Sequence, residues 1–217
     1  MMRKKSSLPE EWLMREKQQL HDHWVAGGEI RNRRVLDAFL EVPRELFVPE
    51  AMRAESYLDY PLPIGAGQTI SQPTTVMLML DLLAPQSGDR VLEIGAGSGY
   101  NAALLARLAK EVVTVERHEV LAKQARQSLQ RAGVRNVRVL CGDGKQGALE
   151  HAPFDRIIVT AAAHVVPQPL LDQLAPGGTL VAPVGETHGC WMTRVCKIRQ
   201  GALERSRHGR FSFVPLV

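Results

Sequence analysis

The sequence predicts an α/β fold: a doubly wound, mostly parallel seven-stranded sheet with N-terminal helices. Three observations predict it. From residue 90 onward, short runs of Val, Leu and Ile alternate with helix-length segments. The first run, Arg90-Val-Leu-Glu-Ile94, opens into the glycine turn Gly95-Ala96-Gly97-Ser98-Gly99. Before residue 84 the pattern is helical, interrupted by a stretch rich in proline and glycine. Strands that alternate with helices build parallel sheets with right-handed crossovers.

Each element has its own signal. Leu8-Pro9-Glu10-Glu11 starts a first helix, and Gly27-Gly28 breaks it. A second helix runs from Ile30 to Leu40 and stops before Pro43. Residues 57–73 hold three prolines and two glycines, which predicts a long irregular segment of functional interest. A helix follows over Pro73–Leu83. The alternating part then gives strands at 90–94, 111–115, 136–140, 154–160 and 178–184. Helices fall at 99–109, 118–132 and 168–174. Two weaker strands are expected within 190–199 and 208–216. The chain is read as a single domain, 1–217, with a helical and substrate-loop part at 1–83 and a cofactor-binding core at 84–217.

Composition narrows the class. The 217 residues carry 27 Lys/Arg and 23 Asp/Glu, a net charge of +4. The excess sits at the ends: residues 1–34 have eight basic and five acidic groups, and residues 194–210 have six and one. The remainder is therefore about −4, so the basic pI is weak evidence for a nucleic-acid partner, and none is expected. Three cysteines, Cys141, Cys190 and Cys196, form no paired motif, which suggests a reducing compartment. The charged stretch Met1–Glu11 lacks the apolar region of a secretory signal, and no run is long enough to span a membrane. A cytoplasmic protein is expected, monomeric by default. His21 and His23 do not share a helix face, and no metal site is expected.

Ligands of doubly wound sheets bind beyond the carboxyl ends of the strands. The turn Gly95–Gly99 lies there. Its glycines allow a tight turn and close approach of backbone N–H groups to a ligand. The spacing is G-x-G-x-G, short of the dinucleotide fingerprint G-x-G-x-x-G. Glu116 ends the second strand, where a carboxylate can accept hydrogen bonds from both ribose hydroxyls. Glu93, just before the turn, would sit badly beside a pyrophosphate but suits the ammonium of a methionine moiety. Asp143, between Gly142 and Gly144, can accept from an adenine amino group, or simply cap its own backbone. Together these residues favour S-adenosylmethionine over NAD.

The segment Tyr57-Leu-Asp-Tyr-Pro-Leu-Pro-Ile-Gly-Ala-Gly-Gln-Thr-Ile-Ser-Gln-Pro73 resembles the protein-L-isoaspartate O-methyltransferase family. So do Val42-Pro-Arg-Glu-Leu-Phe-Val-Pro49, Val91–Tyr100, Phe154–Ala161, Leu174–Gly185 and Phe213–Leu216. The resemblance covers the chain from about Ile30; the first two dozen residues read as an extra. It implies a class I, Rossmann-like methyltransferase that uses S-adenosyl-L-methionine and leaves S-adenosyl-L-homocysteine. The implied acceptor is the α-carboxylate of L-isoaspartyl residues in damaged proteins and peptides, whose methyl ester collapses to a succinimide and reopens in part to aspartate.

The resemblance also distributes roles. It makes Ser71 the catalytic position and a cofactor neighbour, although a serine two residues before Pro73 is also a natural helix cap. Gln68 and Thr69 are expected over the cofactor with Gly95, Ala96, Gly97, Ser98, Glu116, Asp143 and Gly144. Ile64, Val214 and Pro215 are expected against the peptide. After Pro73 the chain has Thr74-Thr75, where many members carry an aromatic residue or histidine. Two other functions fit the same core: a tRNA methyltransferase, and a cofactor-binding protein without turnover.

Overall fold

The computed structural model describes residues 10–199 and 201–217, with His188 described by its backbone alone. Leu8 and Pro9, expected at the first helix start, lie outside those residues. The chain opens with α1 (Glu10–Gly27) and α2 (Arg33–Glu41). Asn32 caps α2 by accepting the Arg34 N–H at 3.1 Å. The buried face of α2 is Val35, Leu36, Ala38 and Phe39, a helical spacing. Trp24 of α1, fully buried, meets the Phe39 ring edge-on at 4.7 Å.

Two 3₁₀ turns, Arg44–Leu46 and Glu50–Glu55, lead to a feature the sequence reading missed. Within 57–73, β1 (Leu62–Gly65) pairs antiparallel with β2 (Gln68–Ile70). The hairpin turns through Gly65, Ala66 and Gly67, all at positive φ. α3 (Pro73–Leu83) follows, as expected.

The main sheet comprises β3 (Arg90–Ile94), β4 (Glu111–Glu116), β5 (Val137–Cys141), β6 (Phe154–Val159), β7 (Leu174–Val184), β8 (His188–Lys197) and β9 (Leu203–Ser212). Its order is β5-β4-β3-β6-β7-β8-β9. The first five are parallel; β8 and β9 are antiparallel. The crossovers are α4 (Tyr100–Leu108), α5 (Glu119–Arg131) and α6 (Gln168–Gln173). The parallel strands are apolar on both faces, as a sheet covered on both sides requires. Val91 and Ile158 join the cluster that includes Trp24, while Leu92, Ile94, Ile157 and Val159 join the cluster of the opposite face.

β9 begins at Leu203, not near 208, and ends at Ser212. Phe213–Leu216, assigned in part to that strand, lies beyond it. The reason is exposure. β9 is an edge strand, exposed at nearly every position and rich in arginine, so it carries no alternation of apolar residues. No helix among the described residues is long and apolar enough to cross a membrane.

Candidate active site

The sheet reverses its winding at β3, which has β4 on one side and β6 on the other. A crevice opens beyond the carboxyl end of β3 at that point. The glycine turn forms its floor. Gly95 has φ of 95° and donates its N–H to Val115 O at 2.8 Å. A Cβ there would overlap the Thr160 hydroxyl, which itself donates to Ile94 O and Gly95 O. Gly95→Ala is therefore expected to cost about 2 kcal/mol or more, from backbone strain and the clash together. Urea unfolding of the two proteins measures it; equal midpoints would refute the packing argument.

Glu116, buried at the end of β4, organises the turn. One carboxylate oxygen accepts the Gly97 N–H at 2.8 Å and the other accepts the His118 N–H at 2.9 Å. A carboxylate has about four lone-pair sites, so capacity remains for ribose hydroxyls. The crevice wall comprises Gln68, Thr69, Ser71, Gly95, Ala96, Gly97, Ser98, Glu116 and Gly144 of the expected set. Ile64 lies just behind it, where a Cβ on Gly97 would touch its side chain at 3.3 Å.

Two expected residues sit apart from that wall. Glu93 is fully buried under the turn. One oxygen accepts from Asn101 Nδ2 at 2.7 Å, and Asn101 does reach the crevice. The other oxygen, Oε2, is buried with no partner among the described residues. Burial pushes the Glu93 pKa up to about 7, against the opposing pull of Thr114 and Asn101. Asp143 is exposed, and it caps the turn Gly144–Gln146 by accepting the Lys145 N–H at 2.9 Å.

The crevice also exposes residues that the sequence reading did not single out: Asn101, His118, Thr160, Ala161, Leu216 and Val217. Three of them stand at strand ends or loops flagged by the carboxyl-end rule. The last two arrive because the chain end is pinned there: Ala162 N–H donates to Val214 O at 2.8 Å, and Leu216 N–H to Ala162 O at 2.7 Å.

A second cleft lies alongside, lined by Pro61, Gln72, Thr75, Thr187, Ser212 and Phe213. It shares five wall residues with the crevice: Thr69, Ser71, Thr160, Val214 and Pro215. Ser71 therefore stands on the partition between two cavities. The capping alternative for Ser71 does not hold geometrically. The residue flanking α3 is Gln72, with no side-chain cap bond. Asp59 does that work from the preceding loop, accepting the Thr74 N–H at 2.9 Å and the Thr74 hydroxyl at 2.8 Å. Among the described residues the Ser71 hydroxyl makes no hydrogen bond; only its carbonyl does, to Arg44.

Known proteins agree with this architecture. The family described as Protein-L-isoaspartate(D-aspartate) O-methyltransferase (PCMT) matches residues 15–217. Its match begins within α1, so that helix is not simply an extra. A protein-L-isoaspartate O-methyltransferase of Methanopyrus kandleri is 50% identical over 207 residues, covering 94% of this chain and 92% of its own. One from Methanospirillum hungatei is 48% identical over 202 residues, covering 93% of each chain. A Plasmodium falciparum protein described as a protein-L-isoaspartate O-methyltransferase, crystallised with S-adenosyl-L-homocysteine, superposes with a TM-score of 0.80 at 25% identity, covering 93% of this chain and 98% of its own. The chain belongs to the protein-L-isoaspartate(D-aspartate) O-methyltransferase family.

Proposed function

We propose that this protein methylates L-isoaspartyl residues in damaged proteins and peptides from S-adenosyl-L-methionine, with Ser71 as the residue that orients the acceptor. The observation that carries the reading is the shared partition: one cavity suits the donor, the neighbouring cleft suits an extended peptide, and Ser71 faces both.

The residues fit the donor. An orphaned buried carboxylate oxygen on Glu93 and the backbone cradle at Gly95–Gly97 suit a molecule with an ammonium group and a ribose. Glu116 would accept the ribose hydroxyls, Gln68 and Thr69 would cover the nucleoside, and Gly144 would lie against the adenine. The Asp143 cap engages one carboxylate oxygen and leaves the other able to accept from that ring. Glu93 would act on the ammonium through Asn101 or through Oε2. When bound, S-adenosyl-L-methionine supplies an electrophilic methyl group on a sulfonium.

The acceptor α-carboxylate is already ionised at neutral pH, so the protein needs no general base. Its tasks are alignment and exclusion of water. The Ser71 hydroxyl donates to one acceptor oxygen and leaves the other free to attack. Val214 and Pro215, on the wall of the second cleft, hold the flanking peptide, whereas Ile64 is buried behind Gly97 and backs the donor crevice instead. Afterwards the ester leaves the site and closes to a succinimide by attack of the following backbone nitrogen, releasing methanol.

Titration of Glu93 gives a pH signature. Its pKa of about 7 lies above the ordinary 4.5, so the folded protein holds that proton more tightly than the unfolded chain. Stability is thus lost as pH rises through 7. Glu93→Gln is expected to exceed the parent in stability at pH 8 by up to about 3 kcal/mol, with no difference near pH 4. A bound ammonium favours the ionised form, so cofactor affinity of the parent should rise with pH and level off above 7. Urea melts and calorimetric titrations at several pH values check both. A parent whose stability and affinity are flat from pH 5 to 8 would remove Glu93 from the account.

The chain is best read as one methyltransferase domain acting as a monomer in the cytoplasm, consistent with its three free cysteines. A methyl-transfer assay offering an isoaspartyl peptide and tRNA side by side separates the acceptor classes. Label entering the peptide supports this function; label entering only tRNA overturns it.

A further inference from the structure

We infer that Arg44 is a positioning residue that sets Ser71 from beneath, through the Ser71 backbone carbonyl. The inference rests on the reading of Ser71 as the acceptor-orienting residue.

Arg44 is fully buried, the most costly place for a guanidinium. Among the described residues it has no carboxylate partner. Its neighbour Glu45 instead accepts the Tyr57 hydroxyl at 2.5 Å. What Arg44 does hold is backbone: Nε donates to Ser56 O and Nη2 to Ser71 O, each at 2.7 Å. The guanidinium carbon lies 4.9 Å from the centre of the Tyr100 ring, and Tyr100 lines the donor crevice. Nη1 is buried without a partner. Burial pulls the Arg44 pKa down to about 10, which leaves the group charged at neutral pH. A side chain needed only to fill space there would be better as an apolar one, since it leaves a charge and a donor unmatched.

The other side of Ser71 is fixed too. Three residues on, Thr74 is held by Asp59 through both its N–H and its hydroxyl. Trp24 of α1 donates its indole N–H to the same hydroxyl oxygen at 2.8 Å. Between these anchors lie Ser71, Gln72 and Pro73, the last with φ set by its ring. The backbone of Ser71 is thus held at its carbonyl by Arg44 and downstream by Asp59. The hydroxyl keeps only its own rotation with which to meet the acceptor. A point-charge amine has neither the planar fork nor the reach to span Ser56 O and Ser71 O together.

The test uses Arg44→Lys, which keeps the charge, with S-adenosyl-L-homocysteine and an isoaspartyl peptide as probes. The expected result is a kcat about tenfold or more below the parent, S-adenosyl-L-homocysteine affinity within threefold, and a melting temperature lower by several degrees, since one buried carbonyl loses its donor. In the double variant with Ser71→Ala, kcat should fall no further than in Ser71→Ala alone, because Arg44 acts through Ser71. Losses of kcat and cofactor affinity by the same factor would mean a structural role only and overturn the inference. So would additive losses in the double variant when Ser71→Ala is itself slow. A Ser71→Ala variant as fast as the parent would instead bring down the reading of Ser71 on which the inference stands. Arg44→Met serves if the lysine variant does not fold: a folded Arg44→Met with parental kcat also overturns it.

Discussion

Ser71→Ala is expected to lower kcat by about a hundredfold while leaving S-adenosyl-L-homocysteine affinity within about twofold. The magnitude has two sources. A hydrogen bond to a charged acceptor contributes roughly 1.5–3 kcal/mol. Loss of alignment adds to it, because the carboxylate then rotates among orientations that do not face the donor. The folded structure should hardly notice the change. The Ser71 hydroxyl makes no bond among the described residues, and Asp59 rather than Ser71 caps α3. Ser71→Ala should therefore melt within a degree or two of the parent. Steady-state kinetics with an isoaspartyl peptide, alongside calorimetric binding of S-adenosyl-L-homocysteine, check the prediction. Turnover within a few-fold of the parent would remove the role.

Glu116→Ala should produce the opposite pattern. Cofactor affinity is expected to fall by about a hundredfold or more, with kcat at saturating cofactor within roughly fivefold. The residue does two jobs that both concern the donor. It would bind the ribose, and it holds the floor of the crevice through the Gly97 and His118 N–H groups. Removing it leaves two backbone donors unmatched beside the turn, so some stability is lost as well. Glu116→Gln should recover little, since its amide nitrogen cannot accept the second N–H. Binding titrations in which Glu116→Ala matched the parent would show that the donor lies elsewhere.

Much of this was legible in the chain. Arg90–Ile94 and Pro73–Leu83 are observed with the expected bounds, because a continuous apolar run before a glycine turn and a proline at a helix start leave little choice. The crevice was legible for the same reason: the carboxyl-end rule picks out loops before any side chain is known. The misses have physical causes. β9 is an exposed, charged edge strand, so its strand character lies in backbone pairing with β8 and not in side-chain pattern. The β1–β2 hairpin was hidden by Pro61 and Pro63, which usually exclude a strand. Both proline and hairpin coexist because a two-stranded sheet consists only of edges.

Depth was the least legible property. Glu93 and Glu116 look alike in sequence, each an acid at or next to the end of a hydrophobic strand. In the fold, Glu116 reaches the crevice wall and Glu93 lies behind Asn101. Asp143 sits in the right loop, yet it is exposed and stands outside the crevice wall, with one carboxylate oxygen on Lys145 N–H. Arg44 shows the reverse. Arginine near a proline reads as surface, and only the fold brings Ser56, Ser71 and the Tyr100 ring around it.

The proposed acceptor is an isoaspartyl carboxylate whose esterification starts a repair. It is tested most directly by one time course. An isoaspartyl peptide and its aspartyl isomer are incubated with the protein and radiolabelled S-adenosyl-L-methionine, and ester, released methanol and peptide isomers are followed together. The expected result is base-labile ester on the isoaspartyl peptide alone, methanol release at neutral pH, and growth of the aspartyl isomer over successive cycles. Equal esterification of both isomers, or stable label without any aspartyl product, would contradict it.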